Sequence, residues 1–82
     1  MPEQEKHKKL SELKPGEKGK IIKIIGKGDV MRRIIEIGIH PGKEILVERV
    51  APLGDPVEFK LDGFHVSLRK AEANNILVET LI

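Results

Sequence analysis

The sequence contains no cysteine, no tryptophan and no tyrosine, and its aromatic residues are Phe59 and Phe64. Without cysteine there are neither disulfides nor thiolate metal ligands to reinforce the fold, which fits a reducing cytoplasm. Without indole or phenol rings there is no broad stacking platform for single-stranded nucleic acid. Long apolar runs are also missing: Lys23, Arg32, Arg33, Glu36 and Glu48 interrupt them, and none approaches the roughly 20 residues that cross a bilayer. The charged start, Met1 to Lys9, has no apolar segment of the secretory-signal kind. Charge of one sign is scarce too. Lys and Arg number 15 against 13 Asp and Glu, a net charge of +2, with a pI near 9.0. Much of that small excess sits in Lys6, Lys8 and Lys9 rather than in the dense basic stripe of a nucleic-acid binder.

What is present is a single domain of 82 residues. A chain of this size buries only about 60% of the surface its unfolded form exposes, so one modest core is expected. Residues 1–9 read as a mobile leader and residues 10–82 as the folded domain. Leu10 and Leu13, three apart, suit one helical turn plugging an end of the fold. Pro15-Gly16 marks a turn, proline presetting φ and glycine taking the positive φ that follows. Gly19 to Ile25 is a β-branched strand in which Ile22 and Ile24 share one face and Ile21 and Ile25 the other, leaving open which is buried. Asp29 suits the N-cap of an amphipathic helix over Val30 to Ile37, with Val30, Ile34 and Ile37 facing inward. Gly38 and Pro41 supply its stop signal.

From Lys43 onward the pattern is β. Glu44 to Val50 places Ile45 and Val47 on one face, Leu46 and Val50 on the other. Pro52, Gly54 and Pro56 exclude helix and central strand from the next segment. Val57, Phe59 and Leu61 alternate with polar residues, as do Phe64, Val66 and Leu68, and Asp62-Gly63 between them is the dipeptide of a type I′ hairpin turn. A helical turn within Arg69 to Asn75, with Ser67 as candidate cap, precedes a last strand from Ile76 to Thr80. About five short strands, one short helix, one or two helical turns and no parallel crossover imply an all-β fold, a small closed or nearly closed barrel.

Leu13-Lys14-Pro15-Gly16-Glu17, Gly38-Ile39-His40-Pro41-Gly42, the string Ala51-Pro52-Leu53-Gly54-Asp55-Pro56, and Leu68-Arg69 leading into Glu72-Ala73 resemble the FeoA domain of bacterial ferrous iron transport. The resemblance spans about Leu10 to Val78. It implies an SH3-like barrel and a cytoplasmic accessory protein that contacts the cytoplasmic GTPase part of the ferrous iron transporter FeoB. The same fold occurs as the carboxy-terminal domain of DtxR-type metal-dependent repressors, but no winged-helix portion accompanies it here.

Two segments are candidate partner-binding sites. The Pro52 to Pro56 loop is explained as a rigid turn ahead of the hairpin; a binding role adds Leu53 as an apolar anchor, Gly54 as the backbone that shapes it and Asp55 as a polar contact. On the helix, Met31 and Ile35 form a shoulder that either packs on the barrel or, rimmed by Arg32 and Arg33, offers an apolar patch. No metal site is expected, because His7, His40 and His65 lack ligand spacing and cysteine partners. Ser67 and His65 share a wet strand face without a pocket or an orienting carboxylate, so no catalytic residues are expected. No Walker A loop or Gly-x-Gly-x-x-Gly is present and no cofactor is implied. Competing readings are a metal-sensing regulatory module and a nucleic-acid-associated SH3-like domain.

Overall fold

The computed structural model describes residues 7–81, in the order β1 (His7–Lys9), a 3-10 turn (Leu10–Glu12), β2 (Lys18–Ile24), α1 (Gly28–Ile37), β3 (Glu44–Val50), β4 (Val57–Leu61), β5 (Phe64–Leu68), α2 (Lys70–Ala73) and β6 (Ile76–Leu81). The strands form one antiparallel sheet in the order β1-β6-β2-β3-β4-β5. It is rolled about a single apolar core, and β1 and β5 are its two edges. There are six strands rather than about five, and the extra one is β1.

Residues His7 to Lys9 thus correct the expected leader: they pair with β6, His7 opposite Glu79 and Lys9 opposite Leu77. All three side chains are exposed. An edge strand of this kind is held by backbone hydrogen bonds alone, so it leaves no apolar period to read. The rest of the expected leader, residues 1–6, lies outside the described residues.

Two bulges decide which side chains face inward. Between Ile21, opposite Val78, and Lys23, opposite Leu77, β2 carries one extra residue. The inward face therefore switches from Ile21, fully buried, to Ile24, which packs against the core from its edge, while Ile25 is left exposed. The second bulge lies between Val47 and Arg49 and turns Val50 inward, to the same side as Ile45 and Val47 instead of the expected opposite one. Each extra residue also bends its strand, as a small rolled sheet requires. The β4–β5 hairpin is regular, pairing Leu61 with Phe64 and Val57 with Leu68. Asp62 and Gly63 both have positive φ, 53° and 83°, as a type I′ turn demands.

Helix α1 starts two residues earlier than its pattern implies. Lys27 occupies the cap position without a side-chain hydrogen bond, and Asp29 falls in the first turn, where its charge favours the helix dipole. The early start leaves Val30 in a first turn that stands clear of the barrel, 39% exposed rather than in the core; Ile34 and Ile39 are the residues fully buried here. Gly38 ends the helix at φ 106°, and Ile39 donates back to the Ile34 carbonyl at 3.3 Å, closing a Schellman turn. At α2 the capping position belongs to Arg69, not Ser67, which remains in β5. The Arg69 N–H donates to Glu72 Oε1 at 2.9 Å.

Leu10, Leu13, Ile21, Ile34, Ile39, Ile45, Val47, Val57, Phe59, Leu61, Leu68, Ala73, Ile76 and Val78 make one cluster. Among the described residues no polar or charged side chain is buried. Phe64, expected on the inner face with Val66 and Leu68, is 72% exposed, because the face it continues runs past the end of the core. Gly19 is the glycine with the least room around it: a Cβ there would lie 3.0 Å from Val78 Cβ and 3.2 Å from Leu13 Cδ1. Gly19→Val is expected to push β2 off β6 and destabilise the domain by about 1–3 kcal/mol. A lower urea midpoint with unchanged slope would report it, and a wild-type midpoint would contradict the close packing.

Candidate partner-binding surface

The segment between β3 and β4 is a short, internally bonded loop. Its ends are tied by Ala51 N–H donating to the Pro56 carbonyl at 3.0 Å, and its bend by Gly54 N–H donating to Ala51 at 2.7 Å. Gly54 holds φ at 91°, a value that L side chains rarely adopt, so its contribution is the shape of the turn. Leu53 stands at the tip, 96% exposed. Asp55 points back toward the domain: its Oδ1 accepts the N–H of Lys70 at 2.8 Å and its Oδ2 lies 3.7 Å from Arg69. Of the three loop residues singled out from the sequence, Leu53 is presented to solvent, while Gly54 and Asp55 hold it there.

On α1, Ile35 is 39% exposed and Met31 is half-buried, so the shoulder is partly packed and partly open. Arg32 is exposed, with a loose ion pair to Asp29 at 3.8 Å. Arg33 is not part of a free rim. Its Nε donates to Glu72 Oε2 at 2.9 Å, joining α1 to α2. Since Asp55 also holds α2, both the loop and α1 are tied to that one helical turn, α1 through Arg33 rather than through Met31 and Ile35.

A further feature had no counterpart in the sequence pattern. The exposed Phe64 ring, with Ile37, Gly38, His40, Leu61 and Val66, borders a groove of about 240 Å³ between the end of α1 and the hairpin. The only sequence signal for it is the position of Phe64 directly after the turn. A wider cleft of about 570 Å³ includes Lys18, Lys43 and Lys60. Glu44 lies 3.8 Å from Lys18 and Asp62 is bonded to Lys43, so its basic charge is largely answered from within.

His65 Nδ1 lies 2.7 Å from Glu48 Oε1, and Glu58 is held by Arg49 at 2.8 Å. His65 is therefore oriented by a carboxylate, without Ser67 as a bonded partner. Among the described residues no group of three or more His, Cys, Asp or Glu side chains is placed to hold a metal ion. No helix among them is long and apolar enough to cross a membrane.

Comparison with known proteins bears on the family and the fold. A family model described as the FeoA domain matches residues 8–80. A Porphyromonas gingivalis protein described as an Fe(2+) transport protein A/Fe(2+) transporter FeoB fusion protein is 41% identical over 73 residues, covering 89% of this chain but 9% of that protein. The chain thus spans less than a tenth of that curated relative. The solution structure of a FeoA-like protein from Clostridium acetobutylicum superposes with a TM-score of 0.88 at 43% identity, covering 96% of this chain and 92% of that one. The fold also matches a zinc-complexed FeoA from Stenotrophomonas maltophilia, described as a prokaryotic SH3 domain protein, with a TM-score of 0.75 at 24% identity over 85% of this chain and 87% of the other. With the matched model covering nearly the whole chain and the barrel shared, this chain belongs to the FeoA family of ferrous iron transport and has its SH3-like fold.

Proposed function

We propose that the chain is a non-catalytic accessory protein of ferrous iron uptake that works in the cytoplasm by binding the cytoplasmic GTPase part of a FeoB transporter. The observation that carries this reading is the relative in which the same domain is joined to the transporter in one polypeptide. Fusion keeps two modules at high effective concentration, and separate chains with the same task must find each other through a contact surface. Leu53 is the residue best suited to anchor that contact. A leucine almost wholly in water, on a loop closed by its own hydrogen bonds, buries apolar area on docking with little further ordering. Ile35, Met31 and Arg32 offer a second contact area on α1, and Asp55 holds the Leu53 loop against α2.

Two substitutions separate anchoring from support. Leu53→Asp is expected to leave thermal stability unchanged and to weaken binding to the isolated GTPase part by about tenfold or more, the loss of one well-buried leucine. Titration calorimetry, with and without iron(II), measures it; unchanged affinity together with unchanged transporter activation would refute the assignment. Asp55→Ala is expected to cost about 1 kcal/mol of folding stability by freeing the Lys70 N–H. Thermal denaturation reads this as a fall of roughly 4–8 °C for a domain of this size.

A further inference from the structure

The two edges of the sheet are finished differently. β1 is three residues long, His-Lys-Lys, with every side chain exposed. Short and basic, it repels a second copy of itself. β5 is five residues long and carries no lysine, no proline and no bulge. Nothing in it discourages the approach of another strand.

The hairpin fixes which backbone groups of β5 are free. A two-residue turn closes on Leu61 and Phe64 as a hydrogen-bonded pair, and antiparallel pairing then alternates, so Phe64, Val66 and Leu68 spend their backbone bonds on β4. The N–H and C=O groups of His65 and Ser67 point the other way, toward the open edge, and both residues are exposed.

We propose that this edge pairs with β5 of a second copy about a twofold axis through Val66, extending the sheet across a symmetric dimer. The antiparallel register centred on Val66 sets His65 opposite Ser67 of the second copy and Ser67 opposite its His65. These are the hydrogen-bonding positions, so every free edge N–H meets a free edge C=O. A shift of two residues either way sets His65 against His65 or Ser67 against Ser67 and leaves edge groups unpaired. The centred register places no like charges opposite each other within the strand. It also carries the acidic turn at Asp62 toward Arg69 and Lys70 of the second copy, a complementary pairing repeated by symmetry. On the inner face, Phe64 comes opposite Leu68 of the second copy with Val66 as its diagonal neighbour, which covers a ring otherwise 72% exposed. The same operation applied to β1 would set Lys8 against Lys8.

Sedimentation equilibrium of the full chain, from micromolar to millimolar concentration, tests the pairing. The wild-type weight-average mass is expected to rise toward twice the 9.2 kDa of one chain. Hydrogen exchange at the His65 and Ser67 amides is expected to slow in parallel, with Val66 indifferent to concentration. Ser67→Pro removes an edge donor without touching the β4 ladder and is expected to hold the mass at one chain. Ser67→Lys, which repels its symmetry mate's strand and keeps the backbone intact, is expected to do the same and guards against a fold defect in the proline variant. A wild-type chain that stays monomeric throughout overturns the proposal. So does a dimer that neither substitution weakens. A monomer whose affinity for the transporter's GTPase part falls on Ser67→Lys also overturns it, and assigns the edge to a strand of that partner instead.

Discussion

Everything in this domain depends on an interior from which all polar chemistry has been excluded. The buried side chains form one aliphatic cluster around Phe59, and among the described residues no charged or hydrogen-bonding side chain lies inside it. With no cysteine to cross-link it, apolar burial must offset the conformational entropy of the chain unaided. A buried unpaired polar group would cost on the order of 1–3 kcal/mol, a large share of the stability available to so small a domain. Among the described residues, every polar and charged side chain therefore belongs to a residue at least partly open to solvent.

Surface recognition in turn needs rigidity, and here the short helix α2 supplies it. Four residues make a poor helix by themselves, since nucleation alone is unfavourable. This one is held by side chains at every side. Glu72 accepts the Arg69 N–H and the Arg33 guanidinium, Asp55 accepts the Lys70 N–H, and Ser11 donates to Asn74. Ala73 sinks fully into the core beneath them. Individually such exposed or half-exposed bonds are weak. Joined at one helical turn, they hold the 51–56 loop, the 3-10 turn and α1 in a fixed relation.

The parts of this fold that were legible in the sequence are those governed by local rules. The β4–β5 hairpin follows from alternation around Asp62-Gly63, the bounds of β3 from its apolar run, and the end of α1 from Gly38. The parts that were not legible depend on pairing between distant segments. Nothing local says that Ile22 and Glu48 are surplus residues, yet those bulges choose between Ile24 and Ile25 and turn Val50 inward. β1 could not be seen because its three side chains bury nothing. Of the candidate surface, the exposure of Leu53 was legible from a loop dense in proline and glycine. The engagement of Asp55 was not, because its partner lies 15 residues further along the chain. Nor was Phe64, whose strand pattern is that of an inward residue.

The pairing of His7 with Glu79 puts the first and last described strands side by side. The first residue of β1 and the last residues of β6 therefore lie together at one end of the β1–β6 pair. In the sheet, β2, β3 and β4 lie between that pair and β5, and the 51–56 loop joins two of these intervening strands. A tether on this domain thus acts as a handle on one side of the sheet. Joining it to a larger protein at either of those strand ends would interrupt neither the hairpin nor the leucine-tipped loop.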